Sequence, residues 1–220
     1  MNITFLIGNG FDVGIGMKSR FKDFFPVYQE KSQNKSEVIK QLSENIQGDY
    51  DTWADFETAL GEYTINFNKE NKQNLIDQVD DFETEFIEYL KEEEKSLMIE
   101  EDKEVGTIMN NALLKYYLAP NLPPESSAII KSLYDTNASS SHLYQFVNFN
   151  YTFTLERCLE KIVEKIVCKR RVAGGDRIDK IGKIVHVHGT CNLHPIIGVN
   201  DESQILNKEL AEDKSFTRFW

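Results

Sequence analysis

"ITFLIGNGFDVGIG", residues 3–16, sets the frame of the chain. Ile3-Thr-Phe-Leu-Ile7 is short, apolar and partly β-branched, which reads as a buried strand. It breaks at once into Gly8-Asn9-Gly10, then Phe11-Asp12, then two more glycines. A strand, a glycine turn and a helix make a place for an anion. Amides at the start of a helix are unpaired and partly positive, and glycines let the backbone come close to a ligand. The loop is not the strict dinucleotide fingerprint. Counted from Gly8, the third glycine falls at position 13, where the chain has Val13, with Gly14 one place late. The alternative is a tight turn in which Asp12 caps the next helix.

Outward from this loop the pattern is helical. Phe21, Phe24, Phe25 and Tyr28 form one stripe, with Ser19 as the expected cap and Pro26 expected to kink or split the helix. A shorter amphipathic piece covers 36–46, and Gly48-Asp49 reads as a turn. Trp53, Phe56, Leu60 and Tyr63 share a second face, with Glu57 at its border. Residues 72–118 are acidic and helical, with Leu75, Val79, Phe82, Phe86 and Leu90 in register. "KEEEK" at 91–95 reads as a solvated face or a hairpin turn.

After Pro120, Pro123 and Pro124 and a serine-rich loop at 139–141, strand signals return. Leu143–Phe149 reads as a strand, 153–167 as a helix, Gly174-Gly175-Asp176 as a turn, Lys183–His188 as a strand and Pro195–Val199 as a fourth. The expected fold is α/β, a Rossmann-like parallel sheet with a large helical insertion between the first strand and the later strands. We read residues 1–220 as a single α/β domain, with 19–140 as the mostly helical insertion.

Each expected strand runs into small or polar residues at its carboxyl end, the edge where open α/β sheets bind ligands. Asn148 and Asn150 share a face before "FNYT", where the other reading is a helix cap. His186 and His188 share a face in "HVHG", and either is structural or serves as an acid–base group. "IIGVND" adds Gly198 and Asp201. One cleft lined by Gly8, Asn9, Gly10, Asp12, Asn148, Asn150, His188, Gly198 and Asp201 accounts for all four clusters.

Charge narrows the partners. The 220 residues carry a net charge of −11, which repels a phosphate backbone and argues against broad nucleic-acid or anionic-membrane binding. Lys169-Arg170-Arg171 is the compact basic stretch. No apolar run approaches the ~20 residues of a membrane helix, and the first run lacks the basic flank of a secretory leader. The three cysteines form no CxxC pair, which suggests a reducing cytoplasm. Cys191-x-x-His194 is half of a zinc pattern without its other half, so no metal is expected.

Taken in order, "FLIGNGFDVGIGMKSRFKDFF", "WADFE", "FNYTFTLE", "HVHGT" and "IIGVND" resemble the AbiH-like proteins of bacterial abortive infection against phage. More distantly, the same blocks are similar to sirtuin-type NAD-binding domains. That resemblance implies NAD or a related nucleotide, with its phosphates at Gly8, Asn9 and Gly10 and its nicotinamide ribose near Asn150. It makes His188 the base, so that Asn150 and His188 carry hydrolysis of the nicotinamide–ribose bond. Other readings are a non-catalytic nucleotide sensor whose insertion recognises a phage or host protein, a metal-dependent nuclease using His186 and His188, and a scaffold without ligand. A homo-oligomer is compatible with each.

Overall fold

The computed structural model describes residues 1–46, 53–118, 122–172, 175–193, 195–198 and 202–213. In chain order the main elements are β1 (Asn2–Ile7), α1 (Gly10–Gly14), α2 (Phe21–Ser32), α3 (Glu37–Asn45), α4 (Trp53–Tyr63), α5 (Lys72–Ser96), α6 (Val105–Leu114), α7 (Pro124–Thr136), β2 (Leu143–Asn148), α8 (Thr154–Glu160), β3 (Ile166–Val172), β4 (Gly175–His186) and α9 (Lys208–Ala211). The fold is α/β with a large helical insertion between the first strand and the later ones. Two compact units divide the chain. One is Met1–Gly8 with Met98–Val187, and the other is Asn9–Leu97 with His188–Trp220.

The sheet unit holds the four strands in the order β1-β2-β4-β3. β1, β2 and β4 are parallel, and β3 returns antiparallel beside β4, so the sheet is mixed rather than wholly parallel. Ile7 is level with Asn148, and Asn148 with His186, so three carboxyl ends lie side by side. A register shift between Tyr144 and Phe146 keeps this alignment and re-aims β4. On the buried face Phe5 stacks on Phe146 at 5.5 Å and meets Tyr116 edge-on at 5.9 Å.

β3 was not expected: only its first two residues fall in the helix read over 153–167, and 168–172 were given no element. Its Lys169-Arg170-Arg171 stretch obscures the alternation, yet all three residues pair across the hairpin with β4. The same hairpin starts β4 at Gly175, where a turn was expected, and gives the strand 12 residues. The expected fourth strand at 195–199 is not formed over the described residues 195–198.

The helical unit is built on its aromatic stripes. Phe21, Phe24, Phe25 and Tyr28 of α2 are buried with Phe56, Leu60 and Tyr63 of α4 and the five expected residues of α5. Phe56 stacks on Phe21 at 4.8 Å and on Phe82 at 4.5 Å, while Trp53 lies 4.3 Å from Phe86. Each such side chain contributes roughly 1.5–3 kcal/mol on burial. Pro26 sits inside α2, which remains one helix of 12 residues. The helix starts after Arg20, not at Ser19: the Arg20 amide donates to Asp23 at 3.2 Å. "KEEEK" continues α5 as helix. The expected turn at Gly48-Asp49 lies outside the described residues.

Candidate functional site

Three strand ends meet at the carboxyl edge of the sheet unit, and hydrogen bonds knit them. The Phe149 amide donates to the Ile7 carbonyl at 2.8 Å, and the Val187 amide to the Asn148 carbonyl at 3.0 Å. Asn150 then engages three neighbours. Its side-chain Nδ2 donates to the Gly8 carbonyl at 3.2 Å, and its backbone amide to Asn148 Oδ1 at 3.1 Å. Its carbonyl accepts from His186 Nδ1 at 2.9 Å.

His186 completes a second link. Its Nε2 lies 2.7 Å from Glu156 Oε1 on α8, and the Phe153 ring is 5.6 Å away. A backbone carbonyl only accepts, so Nδ1 carries hydrogen. Two buried atoms are left over: Asn148 Nδ2 and Glu156 Oε2 have no hydrogen-bond partner. Asn148 is only 1% exposed, so its free donor is costly unless something fills it.

The expected residues divide between the units. Gly8, Asn148 and Asn150 belong to the sheet unit, whereas Asn9, Gly10, Asp12, His188 and Gly198 belong to the helical unit. Asn9 was expected at phosphate. Its amide instead holds the loop before α2, donating to the Ser19 carbonyl at 3.1 Å and accepting from the Ser19 hydroxyl. Trp53 donates to the same carbonyl at 3.2 Å. Gly10 opens α1, a helix of only five residues, too short to present a helix-end charge of the kind the sequence suggested. Asp12 is buried inside α1 and does not cap α2. A Cβ at Gly8 or Gly10 would meet nothing within 4 Å, so close packing requires neither glycine, whereas Gly16 turns the chain at φ +95°.

His188 is half-buried, and its carbonyl accepts from the Ile196 amide at 2.9 Å. Gly198 lies in an irregular segment, not at a strand end. Asp201 and His194 lie outside the described residues. Cys191 is buried, and desolvation together with nearby Glu94 leaves its thiol pushed up to about 12. Among the described residues no group of three His, Cys, Asp or Glu side chains could hold a metal ion, and no helix is long and apolar enough to cross a membrane.

Glu156 and the working contacts of His186 were not foreseen. Glu156 stands inside "FNYTFTLE", but only the fold brings it to a histidine 30 residues on. A cavity of about 690 Å³ elsewhere in the sheet unit, lined by Lys103, Thr107, Asn110 and Glu160 among others, shares no residue with this edge.

A family model, bacteriophage abortive infection AbiH, matches residues 4–219. No curated protein and no solved structure matches the chain. The likeness to sirtuin-type domains therefore rests on the sequence motifs alone.

Proposed function

The chain belongs to the AbiH family of bacteriophage abortive-infection proteins, and from that premise we propose that it binds a nicotinamide nucleotide and hydrolyses its nicotinamide–ribose bond. The observation that carries the reading is the pair of unpartnered buried atoms at the carboxyl edge, Asn148 Nδ2 and Glu156 Oε2. A ribose hydroxyl suits both, accepting from the amide and donating to the carboxylate. Asn150, fixed by Gly8, Asn148 and His186, holds the loop that carries the edge.

The chemistry is the rupture of a glycosidic C–N bond. Nicotinamide leaves with the bonding pair, and C1′ of the ribose passes through an oxocarbenium-like state. Water then forms the new C1′–O bond and gives up a proton. On the sequence argument, His188 accepts that proton. The products are ADP-ribose, nicotinamide and one proton. Loss of the nucleotide would halt the metabolism on which an infecting phage depends.

One observation favours a second reading, a sensor that binds nucleotide without turnover and recognises a phage or host protein. Asn150 and His186 already have intramolecular partners, so neither is free to move a proton during a reaction. Incubating the purified protein with NAD separates the two. Equal amounts of nicotinamide and ADP-ribose, with a ~10²–10⁴-fold loss in His188→Ala, support hydrolysis. A nucleotide-dependent rise in melting temperature without product supports the sensor. Neither product nor stabilisation overturns both.

A further inference from the structure

The cavity of about 690 Å³ is lined by residues of the sheet unit alone, from the start of α6, the end of α8 and the passage into β3. One wall depends on a glycine. A Cβ at Gly106 would stand 2.6 Å from the Lys161 carbonyl oxygen, so only glycine lets α6 come this close to the end of α8. The passage into β3 is the turn Val163–Lys165. Glu164 and Lys165 both take left-handed backbone there, at φ 54° and 55°. Residues with a Cβ adopt that conformation rarely, and such turns gather at binding and active sites. This one leaves Val163 79% exposed, beside Ile162 and Ile166 on the same lining.

The polar part of the lining carries opposite charges that do not meet. Lys103 and Glu160 both line the cavity, and neither has an ion pair or a side-chain hydrogen bond among the described residues. The second lysine, Lys161, is engaged, since its Nζ donates to the Glu100 carbonyl at 2.6 Å. Asn110, also on the lining, has its Oδ1 buried with no hydrogen-bond partner. A buried acceptor in that state is costly, and a donor entering the cavity relieves it.

We infer that this cavity binds a zwitterion with an apolar side chain, namely a free α-amino acid or a short peptide with both ends uncapped. The Lys103 ammonium takes the carboxylate, Glu160 and the Asn110 oxygen take the ammonium, and Ile162, Val163 and Ile166 take the side chain. Other ligand classes leave a conflict. A phosphate would face the Glu160 carboxylate, a polyamine would face the Lys103 ammonium, and a neutral sugar would leave the apolar residues bare. The volume suits a molecule of drug size, which a peptide of a few residues fills better than one amino acid. Nucleotide binding at the carboxyl edge is not required, because the two places share no residue.

Titration calorimetry on the intact chain, with no nucleotide present, tests it. The probes are leucine and the tripeptide alanyl-leucyl-alanine, each also in N-acetylated and C-amidated forms. An uncapped probe should bind one site per chain with Kd below ~1 mM. The tighter of the two identifies the source as free amino acid or peptide. Each cap should weaken binding about tenfold or more. Glu160→Gln should abolish the penalty for acetylation and keep that for amidation, and Lys103→Gln should do the reverse. Both side chains are exposed, so thermal melts should stay within a few degrees of the parent. No binding of either uncapped probe at ~10 mM overturns the inference. A penalty at one end alone overturns it too, leaving a simple anion or cation as the ligand. Caps that matter equally in the parent and in both variants place the site elsewhere and overturn it as well.

Discussion

β2 begins beside one polar cluster and ends in another, and the two are closed in different ways. At its amino end, Arg177 and Asp179 form a buried ion pair, with Arg177 Nε 2.9 Å from Asp179 Oδ1. Arg177 also donates to His142 Nδ1 at 3.0 Å and to the Ala138 carbonyl at 2.6 Å, and lies over the Tyr134 ring. These charges are sealed: the side chains of His142 and Asp179 have no exposure. At the carboxyl end the links are single hydrogen bonds, and the side chains of His186 and Glu156 remain 13% and 22% exposed. Both ends leave polar atoms unpartnered, namely His142 Nε2 and Tyr144 OH at one, Asn148 Nδ2 and Glu156 Oε2 at the other. Only the second pair includes a side chain that a solute can approach. Buried polarity by itself therefore does not distinguish a framework from a site, whereas access does.

The largest expected effect breaks the sealed end. Asp179→Ala leaves Arg177 buried without its anion and should cost ~3–5 kcal/mol in urea denaturation; a loss under ~1 kcal/mol would remove the contrast. At the open end His186→Ala deletes two hydrogen bonds, one of them to a carboxyl, and should cost about 2 kcal/mol. Asn148→Asp is more selective. It keeps the acceptor for the Asn150 amide but puts a carboxylate where the free donor was, at a position 1% exposed, so nucleotide-dependent stabilisation should vanish while about 2 kcal/mol of stability is lost near neutral pH. Retained stabilisation would separate the ligand from this edge.

Two smaller effects depend on pH. Burial lowers the pKa of His142, opposed by Asp179 and reinforced by Arg177, with Tyr134 and Tyr144 as its ring neighbours. The folded protein thus binds fewer protons here than the unfolded chain. The His142 contribution is intact above the ordinary value of 6.5 and declines as pH falls below it. Urea midpoints between pH 7.5 and 5 should fall less steeply in His142→Gln than in the parent. Smallest is the strap on α8, where Arg157 clasps the exposed Glu100 and holds its carboxyl at about 2. Its contribution is present above the ordinary value of 4.5 and is lost as pH falls from there toward 2. Glu100→Gln should flatten only that interval, and steepening there would contradict the assignment.

Contiguous patterns were legible. β1, the stripe of α2, the face of α4 and the five-residue register of α5 each follow from spacing within a single segment. Features governed by partners were not. Charges on β3 conceal a strand that exists because β4 lies beside it. Pro195–Gly198 carries apolar residues without a neighbouring strand to pair with. Ser19 has the chemistry of a cap, but its hydroxyl bonds Asn9, leaving the start of α2 to Asp23. The edge itself was anticipated at Asn148 and Asn150. His186 was weighed there beside His188, but His188 was preferred as the base; β4 stops at His186 and the chain passes into the other unit at His188. Glu156 was invisible, since only packing joins α8 to the end of β4.

The pairing of β1 with β2 also bears on how the molecule is born. Ile3 lies beside Tyr144, so the first strand made must wait for a neighbour nearly the whole insertion later. At ~5–20 residues per second a ribosome needs on the order of ten seconds to deliver it. Throughout that interval an apolar pentapeptide hangs beside a half-made polypeptide with no sheet to join. Chaperone capture of nascent chains cut before and after residue 148 should differ sharply, with release following emergence of the second strand.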